Sequence, residues 1–392
     1  MLNDPATINH GSNPLLKDMR ALPDFEFAAR NHLSDQQYSY YRAAAAGEWS
    51  YRNNLEIWSR VKFRPRYLTD VTKVNETLAT TILGYNFSAP IFIAPAARAG
   101  YAHERGELNF AEATGEEDIL YCAAMYASKT IEEIASAKSN STLNGPQVLF
   151  QQIYTDGNLS VTWDIIRRAE ESGAKALVWT IDAPAASTHH RAARYYPTNP
   201  SKVQWKPHQP THTTTTQQAN PTAAYSNALT SALTWDIYEQ MKNHTSLPII
   251  PKGIATVEDA LAAVEKGVPA IYISNHGARQ LDHSPSPLEI AYEIRRNAPG
   301  VFRKVEVLAD SGVRYGSDVI KLLALGVRAV GLGRPFVFAN TYGVEGVRKA
   351  IRILKAEIAA DAAQLGVRDV QNVPASFLNT RALDDTVFLM DQ

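Results

Sequence analysis

LPIIPKGIATVEDALAAVEKGVPAIYISNHG, residues 247–277, opens on a short apolar strand, passes through an amphipathic segment and closes on a second apolar strand. Two such strands joined by a helix must run parallel, because the crossover returns the chain to the same end of the sheet. Working outward, the same alternation starts at residue 90. The strands read PIFIAP (90–95), ILYCAA (119–124), VLFQQIY (148–154), ALVWTID (176–182), LPIIPKG (247–253), AIYISNHG (270–277), KVEVLAD (304–310) and AVGLGRP (329–335). They are near-continuous apolar runs, as strands covered on both faces should be. Eight repeats predict an α/β fold, a (β/α)8 TIM barrel.

Start signals mark the helices between them. Thr130 with Glu133, and Ser286 with Pro287 and Glu289, have capping-box spacing. The last helix carries Val347, Ile351, Leu354 and Ile358 at helical spacing, a packing stripe. Residues 1–89 form an N-terminal extension with one helical stretch, DFEFAARNHL, and the aromatic cluster Tyr38, Tyr40 and Tyr41. The barrel takes residues 90–380 and a C-terminal tail 381–392. After the fourth strand, residues 183–230 contain THTTTTQQANPT, too polar to order itself. A mobile lid and a tolerated surface insertion both fit that composition.

The composition limits the partners. Over 392 residues, 39 Lys and Arg stand against 40 Asp and Glu, so no broad basic field invites nucleic acid. The only cysteine, Cys122, lies in an apolar run and makes an intrachain disulfide impossible. No stretch approaches the roughly 20 apolar residues of a membrane span, and the ends show neither a secretory signal nor a peroxisomal tripeptide. A cytoplasmic protein acting on a small molecule is the expectation.

In a barrel of this kind the active site lies at the C-terminal ends of the strands. Those positions hold Gln152 and Tyr154, Thr180 and Asp182, Lys252, Ser274 with Asn275 and His276, Asp310, and Gly333 with Arg334. So many polar groups at one mouth point to a binding site. DSGVRYGSD and GLGRP place Gly312, Arg314, Gly333 and Arg334 on adjacent strand ends, glycine for close backbone approach and arginine for a phosphate fork. A lone histidine is more often structural than catalytic, but His276 has Asp182 two strands away to orient its ring. His189 and His190 have no third partner at metal-ligand spacing, so no metal site is expected.

SNHGARQLD (274–282), followed by ADSGVRYGSDVIKLLALGVRAVGLGRPFVFA (309–339), resembles the FMN-dependent 2-hydroxy acid oxidases and dehydrogenases, which include glycolate oxidase, lactate oxidase and the flavin domain of flavocytochrome b2. The likeness runs from DFEFAARNHL through RPRYLTDV and PIFIAPAARAGYAHERGE to the last helix. It implies FMN as cofactor, a homotetramer, and oxidation of an (S)-2-hydroxy acid to the 2-oxo product. By position it makes His276 the base, Asp182 its partner, Arg279 the carboxylate-binding residue, and Tyr40 and Tyr154 the substrate-facing tyrosines. The flavin would lie against Pro95, Ala96 and Ala97, with Gln152 rather than Gln151, Thr180 and Ser274 on its ring and Lys252 at its N1/O2 edge. Asp310 would hold the ribityl chain, and Ser311, Gly312, Arg314, Gly333 and Arg334 the phosphate region.

Departures from the family pattern bear on the substrate. His189 stands where a second carboxylate-binding arginine is usual, with Arg191 two residues on, and the two cations are not equivalent. Ala124 replaces a serine, Tyr126 a tryptophan, Ser311 a glycine and Tyr315 an arginine. A substrate larger than lactate or glycolate, or one with a masked acid group, follows as the expectation. An amine or specialised-metabolite alcohol as substrate, or a flavin-binding barrel without turnover, are the competing readings.

Overall fold

Isoleucine, valine and aromatic residues fill the strand segments, and their alternate faces separate into two cores. The computed structural model describes residues 14–139, 145–195 and 233–390. Eight parallel strands close into a barrel: β1 (Ile91–Ile93), β2 (Leu120–Ala123), β3 (Leu149–Ile153), β4 (Leu177–Thr180), β5 (Ile249–Ile254), β6 (Ala270–Ile273), β7 (Glu306–Asp310) and β8 (Ala329–Leu332). Closure is made where β8 pairs with β1, Val330 opposite Ile91. Phe92, Leu120, Phe150, Val178, Ile250, Tyr272 and Leu308 point inward and fill the barrel. Their strand neighbours Ile91, Ile93, Leu177 and Trp179 point outward into the larger core beneath the helices.

One end of the barrel is plugged. Thr80–Ile82 and Tyr85–Phe87 form a hairpin whose turn residues Leu83 and Gly84 both have positive φ, the geometry of a tight two-residue turn. Ile82 and Phe87 join the inner core, and the Leu83 N–H donates to Glu306 at the start of β7. The plugged end is therefore the N-terminal end of the strands, and the open mouth lies at their C-terminal ends.

The capping boxes at Thr130 and Ser286 are both formed. The last helix spans Gly343–Leu365, and its stripe of Val347, Ile351, Leu354 and Ile358 is fully buried. The N-terminal extension differs from the expected single helix: its described residues hold three α-helices, α1 (Leu22–His32), α2 (Asp35–Arg42) and α3 (Trp49–Glu56). DQQYSYYR is too polar to announce a helix by periodicity. It is nucleated by Ser34, whose side chain caps Gln37, and Tyr40 and Tyr41 are buried on one side. From 196 onward the polar loop expected at 183–230 lies outside the described residues. No helix among the described residues is long and apolar enough to cross a membrane.

Candidate active site

The strand ends surround an open cavity lined by polar and apolar side chains from most of the eight strands, the usual composition of a cofactor or ligand site. Pro95, Ala96 and Ala97 form part of its wall, with Tyr40 and Tyr41 of α2 facing them from the extension.

His276 follows β6 and stands on this wall. Its Nδ1–H donates to Asp182 Oδ1 at 2.9 Å, which leaves Nε2 as the acceptor nitrogen, 3.4 Å from the Tyr154 hydroxyl. Burial pushes the Asp182 carboxyl up, but its interactions with His276 and Lys252 outweigh it and hold the group below its ordinary value. Asp182 can approach so closely because Gly253 is a glycine. A Cβ there would lie 2.5 Å from Asp182 Cβ, and φ is +115° at an irregularity in the pairing of β5 with β6.

Lys252, Ser274 and Asp310 form a buried polar group beneath His276. Lys252 Nζ donates to Ser274 Oγ at 3.2 Å and lies 3.8 Å from Asp310 Oδ2. Asp310 also accepts the hydroxyls of Tyr272 (2.8 Å), Ser274 (2.5 Å) and Ser311 (2.8 Å). Asp310 lines the cavity, and its carboxylate also braces β6 and β7. Gln152 Nε2 donates to Thr180 Oγ1 at 2.9 Å, and both residues face the cavity. Gln151 instead donates to the Gln152 carbonyl, so Gln152 is the one presented.

Arginines crowd the far side. Arg279, Arg314 and Arg334 line the cavity, and Arg42 lies close behind. Arg334, expected at the phosphate, lines the cavity and is also held by backbone carbonyls. Its guanidinium donates to the carbonyls of Tyr41, Ala43 and Gly277 at 2.8–3.0 Å, tying α2 to the loop of His276. Burial and the charges of Arg279, Arg314 and Arg42 push that guanidinium down to about 9. A cluster of cations that strain one another in this way is suited to a bound dianion. Gly312 has φ +84° and rests on α3, where a Cβ would sit 2.1 Å from the Asn54 carbonyl, while a Cβ on Gly333 would meet open space. The donor set therefore fits a phosphate at β7 and β8, with Lys252, Gln152 and Thr180 toward the inner end for a polar ring edge.

Arg279 donates through Nη1 to the carbonyls of Tyr40 and Ala43, both at 2.9 Å, and its guanidinium carbon lies 5.2 Å from the centre of the Tyr40 ring. His189 is not on the cavity wall, contrary to the substrate-binding role expected for it. It is buried behind Arg279, and its Nε2–H donates to the Arg279 carbonyl at 2.7 Å. Burial first, then the charge of Arg279, pushes the imidazole down to about 3, so it is neutral. Arg191 does not replace it: its fork grips Glu48 at 2.8 and 2.6 Å, joining the segment after β4 to the extension. Tyr41 on the cavity wall and the Glu48–Arg191 pair were not singled out as site features from the sequence. The pair joins positions 143 residues apart, a separation that leaves no local signal.

His189 carries a prediction for acid stability. Its folded value lies below the ordinary histidine value, so the unfolded chain binds the proton first, and stability present above about pH 6.5 is lost as the pH falls toward about 3. Between pH 7 and 5 this loss is about 2 kcal/mol. Denaturant midpoints of His189→Gln should therefore fall less over that interval than those of the parent protein, with equal falls contradicting the assignment.

A parallel barrel whose mouth carries a carboxylate-oriented histidine, a buried lysine and clustered arginines has the donor set of an enzyme that binds an anionic cofactor. The profile of the FMN-dependent dehydrogenase family matches residues 29–380, and the chain belongs to that family, with FMN as its cofactor. It is 35% identical to a cytochrome-type L-lactate dehydrogenase of Wickerhamomyces anomalus, covering 94% of this chain and 63% of that protein. It is 36% identical to a peroxisomal (S)-2-hydroxyacid oxidase of Arabidopsis thaliana, covering 91% of this chain and 95% of the relative. Among solved structures, the flavin-binding domain of baker's yeast flavocytochrome b2 superposes with a TM-score of 0.83 at 31% identity, over 97% of this chain and 91% of that one. Mandelate oxidase with (S)-2-phenylpropionate gives 0.78 at 32%, over 92% and 98%.

Proposed function

We propose that the protein oxidises an (S)-2-hydroxy acid to the 2-oxo acid. The observation that carries this reading is the His276 pair: an imidazole oriented by Asp182 through Nδ1, with its acceptor nitrogen on the cavity beside Tyr154 and Arg279 on the same wall. Oxidising a hydroxylated carbon to a carbonyl removes two electrons and two protons, of which a protein base takes one while the other travels with the electron pair or follows it. Bound FMN supplies the acceptor for the electron pair. His276 Nε2 takes the base's proton, and the Asp182 carboxylate stabilises the imidazolium that results. Arg279 holds the substrate carboxylate, backed by Tyr40, so that the hydroxylated carbon faces the base. Gln152, Thr180 and Lys252 would hold the ring of the cofactor, and Arg314 with Gly312 and Gly333 its phosphate.

The substrate is larger than glycolate or lactate in this reading. With His189 neutral and behind the wall, and Arg191 engaged by Glu48, Arg279 holds the carboxylate without a second arginine fork. Small acids, which have little beyond the carboxylate to bind by, lose most from this. Under anaerobic conditions, a bulky aromatic or branched (S)-2-hydroxy acid should bleach the flavin band with higher apparent affinity than glycolate. Equal or tighter half-saturation by glycolate overturns the size preference, and bleaching by esters or amides but not by free acids favours a substrate without a carboxylate.

A further inference from the structure

The loop that carries the base is bent in an unusual way. His276, Gly277 and Ala278 have φ of +58°, +64° and +61°, three consecutive residues in the left-handed region, where side chains are rarely found. Such a segment persists only if its surroundings hold it. Ser311 sits across from it at φ +90°, itself a conformation that favours glycine.

The two serines flanking the loop do parallel things. Ser274 Oγ donates to Asp310 Oδ1 at 2.5 Å and accepts the N–H of His276 at 2.9 Å. Ser311 Oγ donates to the same carboxylate oxygen at 2.8 Å and accepts the N–H of Gly277 at 2.9 Å. One buried carboxylate thus polarises two hydroxyls, each of which holds a successive backbone amide of the loop. A glycine at 311 would adopt the backbone angle without strain but would leave the Gly277 amide without this acceptor.

We propose that Ser311 is a positioning residue for the base, latching the Gly277 amide so that His276 is held in register with Asp182. The inference rests on the reading of His276 as the base. The backbone at 311 already has a glycine-like angle, so Ser311→Gly removes the latch without opposing the fold.

The test compares FMN-loaded parent protein with Ser311→Gly, and with Ser311→Ala as a second variant that keeps the Cβ. Ser311→Gly should melt at or above the parent temperature and lose kcat about tenfold with KM changed less than about twofold, the signature of a misplaced reacting group. Hydrogen exchange at the Gly277 amide should quicken in both variants. Unchanged kcat, or unchanged protection of that amide, overturns the proposal. So does weaker FMN binding with full kcat at saturating cofactor, which would make Ser311 a cofactor contact only. A parent protein that oxidises no hydroxy acid sinks the proposed function instead, and the exchange experiment still reports whether the latch exists.

Discussion

Replacing His276 with glutamine should lower the rate of substrate oxidation by about 10²–10⁴-fold, the usual span for removal of a general base. The flavin should stay bound, because Gln152, Thr180, Lys252 and Arg314, placed to hold it, lie on other strand ends. Glutamine keeps a polar group of similar reach but cannot accept the proton and carry the charge. Asp182→Asn should move the rate in the same direction. An amide in place of the carboxylate weakens the preference for the Nδ1–H tautomer and removes the negative charge opposite the imidazolium. Rapid-mixing measurements at saturating substrate check both. A His276→Gln protein that retained parental rates would remove the base from the account.

Replacing Arg279 with alanine should lower kcat/KM toward free 2-hydroxy acids by about 10²–10³-fold, equivalent to about 3–4 kcal/mol, as expected when one partner of a partly buried charge pair is deleted. The loss should be concentrated in KM. It is large here because His189 is neutral and Arg191 is tied to Glu48, so neither backs the missing cation. Arg279→Lys keeps the charge but not the planar fork, and should fall between parent and alanine. Methyl esters of the same acids are the control: they carry no carboxylate charge, and their turnover should change far less. A similar loss for acids and esters would mean that Arg279 acts by bracing the Tyr40 and Ala43 carbonyls and not by holding the substrate.

The fold was open to reading because a parallel barrel writes a simple code: continuous apolar strands with polar residues at their C-terminal ends. Gln152, Thr180, Lys252, His276 and Asp310 all occupy such ends, and all face the cavity. What escaped the sequence is what depends on contacts across long separations. Arg334 lines the cavity where the sequence placed it, but its bonds to the carbonyls of Tyr41 in α2 and of Ala43 just after it join parts of the chain that sequence position does not bring near. His189 looked like a substitute for an arginine because it holds that position in the chain. Only burial and the Arg279 carbonyl show that it faces away from the cavity. The helix α2 was hidden by its polarity, since a Ser–Gln cap and two buried tyrosines form it rather than an apolar stripe.

The most direct test is a single anaerobic turnover. A bulky (S)-2-hydroxy acid is mixed with an equal amount of flavin-loaded protein, and the flavin absorbance and the 2-oxo acid are quantified together. One 2-oxo acid formed for each flavin bleached, with the (R)-acid inert, is the predicted result. A flavin left yellow by every 2-hydroxy acid tried, or bleached without a 2-oxo product, would contradict the account.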